Sequence, residues 1–372
     1  MKKLSLFISL FATLTLMSGC NKKSYNVKKM TVSHEASYQL WDNFDYSNLK
    51  VAYDGTELET YQYTVDFSNF DNGRVGTSNI TVTLNKSKKC SITIPVEVTH
   101  RTSCNFLAIG NSFSEDLVTY ANEIIKNSDA DLNINVYGVG IGGCTLDQHY
   151  SYFANDYKFY TLLKYNFETK AWEYTDSLSL KEALVYESWD IMTLQQQSAY
   201  AGQANSFTNL SLFVQSIISY LKQQNRKIPT LGWHMTWAYQ NNIAVDNMYY
   251  EFYNNDQITM YNAIVKQVQD IVIPSGLFNF VLASGTAIQN ARTTSITTSK
   301  EFTRDGKHLD LTYGRYVAAL NLASKLTGYS ADHFTYRGES GSEIVSETEQ
   351  SLIFRSVDAA ISNPYQITTI ED

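Results

Sequence analysis

The chain has 372 residues, enough for about two or three domains. Apolar residues make up 44% and charged residues 18%, which excludes the charge-rich, apolar-poor composition of a disordered chain. Lys and Arg number 29 against 37 Asp and Glu, a net charge of −8, which argues against a nucleic-acid partner because phosphate binding needs a basic face.

Lys2 and Lys3 form a basic start, and the apolar run Leu4–Met17 that follows is shorter than the about 20 residues a membrane span requires. Residues 1–19 therefore read as an export signal. The run ends in Leu16-Met17-Ser18-Gly19-Cys20, which resembles the bacterial lipobox. That resemblance implies lipidation at Cys20 and export to the cell surface or periplasm with an acyl anchor in the membrane. Cys90, Cys104 and Cys144 remain, an odd number; whether Cys90 and Cys104 pair is left open. Neither Cys-x-x-Cys nor His-Glu-x-x-His occurs, so no metal site is expected.

Residues 20–102 read as an all-β domain. Leu49–Tyr53, Tyr61–Phe67, Ser78–Leu84 and Ser91–Val98 are rich in Val, Ile, Thr and Tyr, with turn signals at Asp54-Gly55, Asp71-Asn72-Gly73 and Asn85–Lys88. This spacing suggests a small β-sandwich. The run Asp45-Tyr46-Ser47-Asn48-Leu49-Lys50-Val51, with Asp54-Gly55-Thr56 and Tyr63-Thr64-Val65-Asp66, resembles bacterial Ig-like domains, which often serve as spacers.

Residues 103–372 alternate strands with helices. Strands are predicted at Phe106–Ile109, Leu132–Tyr137, Asp190–Leu194, Ile228–Trp233 and Phe278–Leu282, and helices at Leu210–Leu221, Thr259–Ile273 and Tyr313–Leu326. The pattern implies a parallel sheet covered on both faces, with ligands at the carboxyl ends of its strands. Tyr157–Glu187 breaks the rhythm and reads as an inserted hairpin.

Three segments carry chemistry. In Ile109-Gly110-Asn111-Ser112-Phe113-Ser114 a tight turn puts Ser112 between a strand end and a helix N-terminus, where it serves as a nucleophile or a helix cap. Tyr137-Gly138-Val139-Gly140-Ile141-Gly142-Gly143-Cys144-Thr145 contains a formal Gly-x-Gly-x-x-Gly. It follows the second strand and no clear acidic partner comes after it, so the glycines read as backbone donors to an oxyanion. In Thr303-Arg304-Asp305-Gly306-Lys307-His308-Leu309, Asp305 is spaced to orient the His308 imidazole.

The order of these blocks resembles the SGNH (GDSL-like) hydrolase superfamily over residues 104–372. The resemblance implies a flavodoxin-like, three-layer α/β fold and a serine esterase needing no cofactor. Ser112 would be the nucleophile, His308 the base and Asp305 its orienting partner, with an oxyanion hole from the N–H groups of Ser112 and Gly143. Asn111 replaces the usual Asp of the first block. The third block, usually Gly-x-Asn-Asp, is Leu194-Gln195-Gln196-Gln197-Ser198; its register leaves the donor open among the three glutamines, with Gln196 favoured. Gln-rich third blocks resemble the sialate O-acetylesterase-like branch, which acts on acetylated sugars. Trp233-His234-Met235-Thr236-Trp237-Ala238-Tyr239 and Gly285-Thr286-Ala287-Ile288-Gln289-Asn290-Ala291-Arg292 resemble an SGNH-like branch known mainly as a domain of unknown function. His234, Trp237, Gln289 and Arg292 are expected to rim the cleft and bind substrate. The expected activity is removal of acyl groups, chiefly acetyl, from carbohydrate. A glycan-binding protein that has lost catalysis, or an acyltransferase using the same triad, are the alternatives.

Overall fold

The computed structural model describes residues 25–34, 37–241, 247–338 and 344–372, so the expected export signal and Cys20 lie outside the described residues. The chain forms two units. Among the described residues, the smaller comprises 25–34, Ser47–Asn69 and Asn79–Ile94; the larger comprises 37–46, Phe70–Ser78 and the described residues from Pro95 to Asp372.

Before residue 103 the described residues are all β, apart from short 3-10 turns. The strands are β1 (Met30–His34), β2 (Tyr38–Gln39), β3 (Leu49–Tyr53), β4 (Thr56–Glu57), β5 (Tyr63–Asp66), β6 (Gly76–Leu84) and β7 (Ser87–Thr99). In the smaller unit β1, β3 and β4 form an antiparallel sheet, and β5 pairs with Thr81–Leu84 of β6. Alternation decides the buried face: in β6, Ile80, Val82 and Leu84 are buried while Thr81 and Thr83 are less so.

The larger unit is a mixed α/β fold. Its strands are β8 (Ser103–Gly110), β9 (Asn133–Gly140), β10 (Tyr160–Asn166), β11 (Ala171–Leu178), β12 (Ile191–Leu194), β13 (Thr230–His234) and β14 (Phe280–Leu282). They form one seven-stranded sheet in the order β11-β10-β9-β8-β12-β13-β14. β9, β8, β12, β13 and β14 are parallel, giving the order 2-1-3-4-5. β12 and β13 are buried at every residue, as strands covered on both faces must be. β10 and β11 are an antiparallel hairpin added to the edge at β9, within the predicted insertion.

The helices are α1 (Ser112–Val118), α2 (Ala121–Ser128), α3 (Leu146–Ala154), α4 (Leu180–Tyr186), α5 (Leu210–Gln223), α6 (Asn247–Tyr253), α7 (Gln257–Gln267), α8 (Ser284–Ala291), α9 (Tyr313–Thr327) and α10 (Glu347–Ser362). α1, α2, α8 and α10 pack on α9, whereas α3, α4 and α5 pack on one another. The predicted helix at Thr259–Ile273 is α7 continued by a π-helical turn, Val268–Val272. Among the described residues no helix is long and apolar enough to cross a membrane.

The division differs from a single cut at residue 102, and Trp41 shows why. It is 4% exposed, packs on Phe280 at 4.5 Å, donates its indole N–H to Lys325 O, and lies under the Lys325 ammonium. Its carbonyl accepts from Thr230 Oγ1 at 2.7 Å. Arg101, also buried, donates to Leu40 O and to the Asp42 carboxylate. The segment around Trp41 thus completes the core of the larger unit. Trp41→Ala removes this packing and should cost about 3–5 kcal/mol. Urea unfolding of the two proteins measures it; a loss below about 1 kcal/mol would contradict the assignment.

Candidate active site

The loops that build the site leave the carboxyl ends of parallel strands, where such sheets gather their ligand groups. β8 ends at Gly110, and Asn111 caps α1 through Oδ1, which accepts from Phe113 N at 3.0 Å. The same oxygen accepts from Gln195 Nε2 at 2.7 Å, while Asn111 Nδ2 donates to Cys144 O at 3.1 Å. Asn111 therefore clamps the loops after β8, β9 and β12 together. Ser112 begins α1, where a backbone N–H has no partner within the helix.

The glycine motif spans the end of β9 and the loop that follows it, and Gly140 serves close approach. A Cβ on Gly140 would sit 2.5 Å from Gly110 O, so glycine there lets the ends of β8 and β9 meet. Gly143 has φ +69, a left-handed conformation that glycine adopts without strain. Cys144 beside it is a buried free thiol, its pKa pushed up to about 12 by burial. Cys90 and Cys104 are likewise free and buried.

Ser112 Oγ lies 2.9 Å from His308 Nε2, and His308 Nδ1 lies 2.6 Å from Asp305 Oδ2. Burial alone would raise the Asp305 carboxyl. Hydrogen bonds from the His308 ring and from the backbone N–H groups of His308 and Lys307 outweigh it and hold the group down at about 2. The carboxylate is then an acceptor only, so His308 Nδ1 carries the proton and Nε2 is left to accept from the serine hydroxyl.

Ser112 and His308 open on a pocket of about 340 Å³, also lined by Gly143, Gln197 and Tyr239. The N–H groups of Ser112 and Gly143 have no acceptor among the described residues. The expected third donor, Gln196, is corrected. Its Nε2 donates to Ser206 O at 2.6 Å and its Oε1 accepts from Leu146 N and Gln197 N, so the side chain is spent on fixing the loop. Gln197 lines the pocket instead; its Oε1 accepts from Tyr200 N, and its Nε2 has no acceptor among the described residues.

The four residues expected to bind substrate do not line this pocket. His234 is buried, with Nδ1 donating to Gln195 Oε1 at 2.9 Å. Trp237 is 0% exposed, stacks on Phe113 at 4.3 Å and donates Nε1 to Lys307 O at 2.7 Å. It braces the loop that carries His308. Gln289 donates to Gln257 Oε1, and Arg292 donates to Ala238 O and Gln289 Oε1, which ties the end of α8 to the loop after β13 and to α7. His234 ends β13 and the other three follow strand ends, but all four side chains turn into the packing.

Asp116 is the residue that sequence reasoning missed. It is 0% exposed, lies on α1 with Ser112, and joins that helix to the His308 loop. Its Oδ1 accepts from Arg304 at 3.0 Å and from Arg315 Nε at 2.8 Å, and its Oδ2 accepts from Leu309 N at 2.9 Å. Its signal in the sequence is an acid directly before the apolar pair Leu117-Val118 of a short helix, followed far downstream by an Arg in the Asp-x-x-His block.

Two outcomes follow from these contacts. Asp116→Ala leaves two arginines facing an empty acceptor position and should destabilise the fold by about 3–5 kcal/mol, measured by urea unfolding. His234 and His149 are both buried, and burial depresses them from 6.5 to about 3 and about 4. The unfolded chain therefore takes up protons that the folded chain refuses, so stability is complete above pH 6.5 and falls as pH drops towards 4. His234→Gln should flatten that fall by up to about 1.4 kcal/mol per pH unit. Equal slopes for parent and variant would contradict it.

Residues 105–354 match the family described as a domain of unknown function, DUF4886. The crystal structure of a DUF4886 family protein from Bacteroides uniformis is 30% identical, with a TM-score of 0.62, covering 72% of this chain and 97% of that one. A candidate SGNH hydrolase from Slackia heliotrinireducens is 18% identical with a TM-score of 0.34, covering 60% of this chain and 99% of its own. Axe2, an acetylxylan esterase from Geobacillus stearothermophilus, is 12% identical with a TM-score of 0.34, covering 63% of this chain and 97% of its own. No curated protein matches the chain. By its match over residues 105–354, the chain belongs to the DUF4886 family.

Proposed function

We propose that this protein is a serine esterase of the SGNH type that removes acyl groups, chiefly acetyl, from carbohydrate. One observation carries the reading: the unbroken hydrogen-bond chain from Ser112 through His308 to Asp305, at 2.9 and 2.6 Å, beside a pocket with unpaired backbone donors. The order of the Ser, Gly and Asp-x-x-His blocks supports it. The lipobox at Cys20 supports attachment to the bacterial surface or periplasmic membrane, with an Ig-like spacer holding the esterase away from the bilayer.

The chemistry follows from the geometry. As Ser112 Oγ bonds to the ester carbon, its proton passes to His308 Nε2 and the carbonyl electrons move onto oxygen. The N–H groups of Ser112 and Gly143 and the amide of Gln197 stabilise that oxyanion. Asp305 stabilises the imidazolium. When the carbonyl reforms, the alkoxide leaves with the proton held by His308. Water, deprotonated by His308, then releases the acyl group and restores Ser112.

Ser112→Ala should lower kcat for an aryl acetate by about 10³-fold or more without changing the unfolding midpoint. Acetate release from parent and variant measures it. An unchanged rate in the variant would remove Ser112 as the nucleophile.

A further inference from the structure

The Ser112 pocket adjoins a second cavity of about 390 Å³, with which it shares Asn111, Ser112 and Gly142. The far wall of that cavity is the inserted hairpin. Side chains alternate across a strand, so Thr161 and Leu163 of β10 share one face. Leu163 pairs with Tyr174 of β11, and Thr161 Oγ1 donates to Asp176 Oδ1 at 2.6 Å, so Tyr174 and Asp176 join that face. Phe159, just before β10, and Glu115 of α1 complete the lining.

Two features of this wall are chemically specific. Phe159 is 58% exposed and Tyr174 57% exposed, although large aromatic rings are ordinarily buried. Both carboxylates, Glu115 and Asp176, face a cavity whose lining contains no Lys, Arg or His. Asp176 Oδ2 and the Glu115 carboxylate have no hydrogen-bond donor among the described residues. Aromatic faces suit the C–H faces of a pyranose, and carboxylates accept from hydroxyl groups. An acidic sugar or a phosphate would meet like charge and no cation in that lining.

We propose that this hairpin-walled cavity is the subsite for an uncharged sugar ring bearing the ester that Ser112 attacks. The assignment rests on the esterase reading above. Phe159 and Tyr174 pack against the ring, and Asp176 and Glu115 accept its hydroxyl protons. A uronic or sialic acid ester is disfavoured by the same carboxylates.

The test compares three esters on the full chain: an acetylated methyl glucopyranoside, the corresponding acetylated methyl glucuronoside, and 4-nitrophenyl acetate. Phe159→Ala and Tyr174→Ala should each lower kcat/KM for the neutral sugar ester about tenfold and leave the aryl acetate rate within about twofold. The parent should favour the neutral over the acidic sugar ester by about tenfold, and Asp176→Asn should narrow that gap. Parallel losses on sugar and aryl esters, no loss on either, or a preference for the acidic sugar would overturn the subsite. If the parent hydrolyses no ester, the esterase reading fails separately. Saturation-transfer NMR of methyl glucopyranoside with Ser112→Ala then decides the subsite: a signal abolished by adding Tyr174→Ala upholds it, and no signal overturns it.

Discussion

The contact between Ser112 and His308 depends on a buried carboxylate that touches neither. Asp116 sits on the helix that begins with Ser112 and is 0% exposed, yet it accepts from two arginines and from the backbone next to His308. Ser112 and His308 are 196 residues apart in the chain, and a 2.9 Å contact between them needs their two loops held at a fixed separation. A desolvated charge with defined partners suits that task, because partial pairing is costly. Trp237 acts on the same loop through its hydrogen bond to Lys307 O and its stack on Phe113.

The sheet supplies the rest. With the strand order 2-1-3-4-5, β8 is flanked by β9 and β12. The three loops that follow these strands bring Ser112, Gly143 and Gln197 to one pocket. Asn111 and Gln195 form the seam between them, joined by one hydrogen bond of 2.7 Å. Of the glycines there, Gly140 is explained by how closely the ends of β8 and β9 approach, and Gly143 by its left-handed φ of +69.

Much of this was legible in the sequence. The five parallel strands are apolar runs with clear punctuation, and each lies within a few residues of its expected place. Asp305 and His308 were legible because a spacing of three residues lets one side chain reach the other. The register of Gln195-Gln196-Gln197 was not, since neighbouring side chains leave a strand end in different directions and the three glutamines end in three different networks. His234, Trp237, Gln289 and Arg292 were misassigned for a related reason: position at or after a strand end does not say whether a side chain turns towards the pocket or the core. The unit boundary was hidden because Trp41 finds its hydrogen-bond partner, Lys325 O, 284 residues further along the chain.

The hairpin β10–β11 also changes the sheet's exposed margin. Without it, β9 would end the sheet with a largely buried, apolar strand carrying a row of unpaired backbone groups. With it, the last strand is β11, largely exposed and bearing Glu173 and Asp176. Charged side chains on a terminal strand oppose the addition of another chain. The same insertion that walls a cavity therefore guards the molecule against strand-to-strand association with its own copies.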